Sequence, residues 1–189
     1  MKAKGMVFLV GAGPGDPGLL TMRGAELIGR AEVLVYDALV NPDLLQLAPR
    51  GTEVIYAGKR SGQHAIPQEE LNQLLVSKAR EGQCVVRLKG GDPYIFGRGG
   101  EEAEALFAAG ISFEVTPGIS SIVAAPNYAG IPLTHREQCS SFTVITGHED
   151  PVKGESGIDW AALARTPGTK VVLMGVEQIR QIAEQLIAH

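Results

Sequence analysis

The stretch MVFLVGAGPGD, residues 6–16, joins an apolar run to a glycine-rich loop. Residues 6–10 are apolar and rich in strand-forming side chains, so they predict a buried strand. The glycines of residues 11–15 predict a tight turn directly after that strand. Because α/β proteins bind ligands at the carboxyl ends of their strands, the stretch predicts an α/β fold with a ligand loop at this point.

Further strand-like runs alternate with helical patterns along the chain. The clearest helix begins at Pro67, has acidic residues in its first turn, carries Leu71, Leu74 and Leu75 at core-facing spacing, and ends at Gly82. This alternation predicts a largely parallel sheet covered by helices. The predicted strands are residues 6–10, 32–36, 53–56, 84–88, 113–116, 141–146 and 169–173.

A domain boundary is predicted where Thr116-Pro117-Gly118 separates the fifth strand from a small-residue helix over residues 119–129. The expected domains are 1–117 and 118–189. Two strands make a poor independent sheet. The strands of the second half therefore either extend the first sheet or belong to a sheet completed by residues beyond 189.

Composition excludes several classes of protein. The net charge of −4, from 17 basic and 21 acidic residues, argues against a general nucleic-acid-binding surface. The two cysteines show no metal-binding spacing and the histidines no clustered pattern, so neither a disulfide framework nor a metal site is predicted. No apolar run approaches the roughly 20 residues that span a bilayer, and we expect a cytoplasmic protein without membrane insertion.

The glycine loop has two interpretations: a dinucleotide-binding turn or a purely structural turn. Its glycine spacing, with Asp37 at the end of the second strand, is typical of an NAD-dependent oxidoreductase. Asp16 stands where that pattern needs glycine, and Pro14 and Pro17 remove backbone donors that a phosphate would use.

The second loop, RLKGGDPYIFGRGGEE at residues 87–102, has a density of glycines that indicates close approach of the backbone to a ligand.

Four segments in order resemble the uroporphyrinogen-III C-methyltransferases, of the tetrapyrrole (class III) S-adenosylmethionine methyltransferase family. They are GAGPGDPGLLT at 11–21, YAGKRSGQHAIPQEELNQLL at 56–75, RLKGGDPYIFGRGGEE at 87–102 and GIPLTHR at 130–136. The resemblance covers essentially the whole chain. It implies two α/β subdomains with largely parallel sheets, a cofactor cleft between them, and a homodimer.

The resemblance implies a reaction and a pair of catalytic residues. Pyrrole carbons on rings A and B of uroporphyrinogen III would take methyl groups from S-adenosylmethionine to give precorrin-2, with no metal. Asp37 would accept a proton and Lys59 would donate one or act as its electrostatic partner. An Asx-type turn at Asp37 and a solvated loop charge at Lys59 are the structural alternatives. A later precorrin methyltransferase and a non-catalytic tetrapyrrole or cofactor carrier are the functional alternatives.

Binding residues are also implied by the resemblance. Those for the cofactor are Pro14, Gly90, Gly91, Asp92, Ile95, Ser120, Ser121 and Met174. Those for the polycarboxylate substrate are Arg60, His64, Arg98, His135 and Arg136. The two serines could equally start a helix, and Met174 could equally be a core residue.

Members of the family usually continue beyond the last predicted helix of this chain. The resemblance therefore implies that the C-terminal part of the second subdomain is lacking. An incomplete adenosine pocket and an exposed sheet edge would follow, and the activity of the shortened chain is left undecided by the sequence.

Overall fold

The computed structural model describes residues 5–58, 66–148 and 156–189. The chain divides into two compact units, Met1–Ser121 and Ile122–His189. The domain limits expected from the sequence, 1–117 and 118–189, stay a prediction.

The first unit is built on a five-stranded parallel sheet with the strand order β3-β2-β4-β1-β5. Its strands are β1 (Met6–Gly11), β2 (Val33–Tyr36), β3 (Glu53–Tyr56), β4 (Cys84–Lys89) and β5 (Ser112–Thr116). Its helices are α1 (Met22–Ile28), α2 (Gln68–Arg80) and α3 (Gly99–Ala108), with short 3₁₀ helices at Pro17–Leu19 and Pro42–Leu47.

Both faces of this sheet are buried, because side chains alternate between them along each strand. On one face Val7 and Leu9 of β1 pack in a cluster with Leu71 and Leu75 of α2 and Leu106 of α3. On the other face, Phe8 and Val10 of the same strand pack with buried residues of α1, Leu27 and Ile28. This two-sided packing explains why the strands are almost uniformly apolar.

The strand order creates a switch point at the centre of the sheet. The chain leaves β1 toward the face covered by α1, and leaves the neighbouring β4 toward the face covered by α3. Loops that diverge from adjacent parallel strands leave a crevice at the carboxyl edge of the sheet, which is where α/β proteins bind ligands. The two glycine-rich loops singled out in the sequence are the loops at this switch point.

Helix α2 confirms the helix predicted after Pro67. Glu69 and Glu70 lie in its first turn, and Lys78 and Arg80 lie in its last turn, so both ends complement the helix dipole. Leu71, Leu75 and Ala79 are buried. The chain leaves the helix through Gly82, whose φ of 88° is accessible to glycine at little cost.

In the second unit, β6 (Phe142–Thr146) and β7 (Thr169–Leu173) pair in parallel as a separate two-stranded sheet. The expectation that these strands extend the first sheet is therefore wrong. The accompanying helices are α4 (Ser121–Tyr128), α5 (Trp160–Arg165) and α6 (Ile179–Ala188). Helix α4 is shorter than the predicted 119–129, and it contains Pro126.

Replacing Leu75 by alanine should lower the free energy of unfolding by roughly 2–5 kcal/mol, because it empties a fully buried position between α2 and the sheet. Met22→Ala is the matched control, since Met22 is 92% exposed and should change the value by less than about 0.5 kcal/mol. Urea unfolding followed by circular dichroism measures both. Equal losses in the two variants would contradict this description of the core.

Candidate active site

The loops after β1, β4 and β5 meet backbone to backbone. Ala12 donates its N–H to the Lys89 carbonyl at 2.7 Å, and Gly91 donates to the Gly13 carbonyl at 2.7 Å. Gly118, after β5, lies so close to Gly11 and Gly91 that a Cβ on Gly118 would clash with the Gly91 carbonyl oxygen and with the Gly11 Cα. We call Gly11, Gly91 and Gly118 the glycine contact. Only residues without a side chain permit this approach.

Asp92 links two of these loops through its carboxylate. Its Oδ1 accepts a hydrogen bond from the Tyr94 N–H at 2.9 Å, and its Oδ2 accepts one from the Gly118 N–H at 3.1 Å. A carboxylate has about four lone-pair sites, so each oxygen keeps the capacity to accept a further bond. Asp92 therefore has a structural role in addition to the cofactor role predicted for it.

The space in front of Gly91 is bordered by Ser120. Gly91 has a φ of 66°, and a Cβ placed on it would meet, among the described residues, only the Ser120 Cα within 4 Å, at 3.9 Å. Ser120 is buried and directly precedes α4, which begins at Ser121, so the helix-start interpretation of the serines also holds. Two residues predicted to bind the cofactor, Gly91 and Ser120, are thus neighbours at the carboxyl edge of the sheet.

The loop after β1 is organised by its own polar groups. Asp16 accepts a hydrogen bond from the Gly18 N–H at 2.8 Å, which caps the first 3₁₀ helix. The Gly13 N–H donates to the Gly91 carbonyl at 3.2 Å and is not presented to a phosphate. Pro14, which has no N–H, is partly buried in this loop. The loop geometry gives no support to the NAD-dependent oxidoreductase alternative.

Asp37 lies directly after β2 and has both carboxylate oxygens engaged. Its Oδ1 accepts a hydrogen bond from the Leu39 N–H at 3.0 Å, which is the Asx-type turn considered as the structural alternative. Its Oδ2 lies 3.4 Å from Nη2 of Arg87. The side chain remains 26% exposed, so Asp37 has a fixed orientation and is still accessible.

Asp37 contacts a buried ionic cluster that was not predicted from the sequence. Glu102 of α3 is fully buried, and its Oε1 accepts from Nε of Arg87 at 3.1 Å and from Nζ of Lys89 at 2.8 Å. Burial is the largest influence on Lys89 and lowers its pKa, and the charge of Arg87 lowers it further, while Glu102 acts in the opposite direction. Strand alternation was the available signal, because it places Arg87 and Lys89 on one face of β4.

Three residues other than glycine have a left-handed backbone among those described: Phe96, Arg98 and Met174, with φ values of 50°, 58° and 54°. Such conformations cost free energy and are concentrated at functional sites. Two of the three, Arg98 and Met174, were singled out from the sequence. Met174 follows β7 in the second unit and is 53% exposed, so the alternative that it belongs to the core is wrong.

Arg98 is the N-cap residue of α3 and forms a bidentate ion pair with Glu101. Its Nε and Nη2 lie 2.8 and 2.7 Å from the two carboxylate oxygens, and this pairing lowers the pKa of Glu101. Both side chains are about half exposed. This pairing fixes the orientation of the Arg98 guanidinium.

The remaining predicted site residues are spread over both units. Ile95 is partly buried in the loop after β4. His135 and Arg136 are exposed in the second unit, where the His135 N–H donates to the Cys139 carbonyl at 2.7 Å and closes a tight turn. Lys59, Arg60 and His64 lie outside the described residues. The first unit thus brings together the predicted residues Asp37, Gly90, Gly91, Asp92, Ile95, Arg98 and Ser120 at the carboxyl edge of one sheet.

Within residues 5–58, 66–148 and 156–189, no group of three or more His, Cys, Asp or Glu side chains could hold a metal ion. In the same ranges, none of the helices combines the length and the apolar character needed to cross a membrane.

Comparison with known proteins agrees with these features. Residues 6–189 match the sequence model of the tetrapyrrole (corrin/porphyrin) methylases. The chain is 58% identical to the S-adenosyl-L-methionine-dependent uroporphyrinogen III methyltransferase of Methanosarcina barkeri, over 98% of this chain and 72% of that protein. It is 55% identical to a siroheme synthase of Sodalis glossinidius, over 98% of this chain but only 39% of that protein.

A solved structure extends the likeness to the fold. The uroporphyrin-III C-methyl transferase of Thermus thermophilus, complexed with S-adenyl homocysteine, is 43% identical to this chain, with a TM-score of 0.79. The alignment covers 96% of this chain and 71% of that one. The chain belongs to the tetrapyrrole methylases. The predicted mixed α/β class with largely parallel sheets is confirmed.

Gly118→Ala should destabilise the protein by about 1–3 kcal/mol, because the added methyl group forces the loops of the glycine contact apart. Gly100→Ala is the control, since a Cβ there meets no described atom within 4 Å and alanine favours the helix it would join. Urea unfolding measures the difference. A Gly118→Ala protein as stable as Gly100→Ala would show that the three loops are not held together at these glycines.

Proposed function

We propose that the chain is an S-adenosylmethionine-dependent C-methyltransferase that methylates uroporphyrinogen III on rings A and B, giving precorrin-2. The observation that carries this proposal is the assembly at the switch point: the glycine contact, Ser120 beside Gly91, and the partly exposed carboxylate of Asp37. The names of the relatives in Methanosarcina barkeri and Thermus thermophilus support the choice of substrate and cofactor.

The residues around the glycine contact fit the cofactor. When bound, S-adenosylmethionine supplies a methyl sulfonium, which is already an activated electrophile. The backbone at Gly90 and Gly91 permits close approach, and the free lone pairs of Asp92 can accept from ribose hydroxyls. The full set of cofactor residues that we propose is Pro14, Gly90, Gly91, Asp92, Ile95, Ser120, Ser121 and Met174.

The task of the protein is to orient the reacting groups, exclude water and remove a proton. Orientation and exclusion of water can supply much of the acceleration, because no activation of the methyl group is needed. Each methyl transfer leaves a positive charge on the macrocycle, so the methylated macrocycle must lose a proton, and a carboxylate can accept it. We assign this role to Asp37, because its side chain is partly exposed and its orientation is fixed by the Leu39 N–H and Arg87.

Lys59 is the proposed partner of Asp37. Support comes from Gly58, the last described residue before it, because a Cβ on Gly58 would lie only 2.7 Å from the backbone nitrogen of Ala38. The chain therefore passes beside the residue that follows Asp37. The acidic substrate would be held by Arg60, His64, Arg98, His135 and Arg136, whose cationic or switchable side chains suit carboxylates.

We further propose, from the resemblance, that the protein is cytoplasmic and acts as a homodimer in sirohaem or cobalamin biosynthesis. Light scattering coupled to size-exclusion chromatography tests the dimer. A mass of about 20 kDa, that of the single chain, would contradict it.

An anaerobic assay with uroporphyrinogen III and S-adenosylmethionine tests the substrate. We expect dimethylated product and two equivalents of S-adenosylhomocysteine for each macrocycle. Turnover of a later precorrin but not of uroporphyrinogen III would assign the chain to another member of the family. Binding of NADH without S-adenosylmethionine would overturn the methyltransferase proposal altogether.

Asp37→Asn should lower kcat by about 10²- to 10⁴-fold, because the amide cannot accept the proton. Cofactor affinity, measured by calorimetry, should change little, since Asp37 is not among the proposed cofactor residues. Loss of cofactor affinity with unchanged kcat would refute the assigned role.

A further inference from the structure

Strand β4 sends two cations into the interior of the first unit. Arg87 and Lys89 have side chains that are only 5% and 3% exposed, and they point to the face covered by α2 and α3. Val86, which precedes Arg87, and Leu88, which lies between the two cations, are buried in the cluster on the α1 side. Buried charges are costly to desolvate, and apolar side chains of similar volume would often stabilise a fold as well or better. The presence of these charges calls for a reason other than packing.

Glu102 is the counter-ion of both cations, but it uses one oxygen for them. Its Oε1 accepts from Nε of Arg87, from Nζ of Lys89 and, at 3.5 Å, from Nε2 of Gln68. Its Oε2 has no hydrogen-bond partner among the described residues.

The guanidinium of Arg87 reaches from this buried anchor to the candidate site. Its Nε faces Glu102, its Nη1 donates to the Leu88 carbonyl at 3.1 Å, and its Nη2 lies 3.4 Å from Oδ2 of Asp37. The planar fork of arginine holds these groups in fixed relative positions. Asp37 is the partly exposed end of this chain of contacts, and Glu102 is the fully buried end.

We propose that Glu102 and Arg87 are positioning residues for methyl transfer. Glu102 fixes the Arg87 guanidinium, and Arg87 fixes Oδ2 of Asp37 in the orientation that accepts the proton. The inference rests on the proposed function, because it takes Asp37 as the proton acceptor. Lys89 balances the charge of the cluster, since two carboxylates then face two cations.

A double-mutant cycle on the full chain tests the proposal. The single variants are Arg87→Lys, Arg87→Gln, Glu102→Gln and Asp37→Asn, and each change at Arg87 or Glu102 is also combined with Asp37→Asn. Initial rates are measured anaerobically with uroporphyrinogen III and S-adenosylmethionine. We expect Arg87→Gln and Glu102→Gln to lower kcat about tenfold or more while KM for S-adenosylmethionine stays within about twofold, with Arg87→Lys partly preserving the rate.

The decisive result is the behaviour of the combined variants. Because Arg87 and Glu102 act through Asp37, their replacement should lower kcat by less than about twofold once Asp37 is already asparagine. Additive losses in the combined variants would overturn the proposal, since they would show that the cluster serves the fold in general. An unchanged kcat in Asp37→Asn alone would overturn both this inference and the role proposed for Asp37.

Two controls separate positioning from folding. Circular dichroism and the thermal midpoint report whether Glu102→Gln still folds. If it does not, Arg87→Lys tests the same contact, because it keeps a cation opposite Glu102. Glu53→Gln removes a carboxylate from another ion pair, with Lys78, at the amino end of β3 and far along the strand from the site. It should leave kcat unchanged. A loss of kcat in Glu53→Gln as large as in Glu102→Gln would contradict a specific role for the cluster.

Discussion

The glycine contact is the constraint on which the rest of the first unit depends. Gly11, Gly91 and Gly118 bring the ends of β1, β4 and β5 together without side chains between them, and Ala12 and Gly13 complete the joint with backbone hydrogen bonds. Because these loops cannot separate, the residues attached to them are fixed as well. Asp92 is clamped against Gly118, and Ser120 stands opposite Gly91. A site that must align three atoms in line gains directly from such rigidity.

Buried apolar clusters and buried charged side chains lie next to each other near the carboxyl edge of the sheet. Apolar clusters cover both faces of the sheet, whereas the buried charged side chains among the described residues, Arg87, Lys89 and Glu102, come from the carboxyl half of β4 and from α3. Ion pairs are stronger in such surroundings than in water, and they are also more sensitive to the loss of a partner. The cluster is therefore well suited to orient a neighbouring carboxylate and poorly suited to tolerate substitution.

Much of the fold could be predicted because it follows from local patterns. Strands β3 and β7 have the predicted bounds, and α2 begins and ends where its flanking proline and glycine indicate. Helix α4 begins two residues later than predicted, at Ser121, directly after the buried Ser120. The separate pairing of β6 with β7 could not be predicted, since strand neighbours depend on long-range packing that the sequence pattern does not contain.

The candidate site was only partly predictable for a related reason. Motif resemblance identified Asp37, Gly91 and Asp92, but it gave no indication that Asp92 also bonds the Gly118 N–H. Glu102 lies in the quoted loop motif, yet nothing in its neighbours shows that it is fully buried against two cations from β4. Burial of a charge becomes visible only when the partner strand and helix are seen together.

The most direct test of the central claim is a nuclear magnetic resonance titration of the ¹⁵N-labelled protein with S-adenosylhomocysteine. If the glycine contact forms the floor of the cofactor site, the amide signals of Gly90, Gly91, Asp92 and Ser120 should shift together and saturate at one affinity. Saturable binding that leaves these four amides unchanged and shifts another set of residues would contradict it.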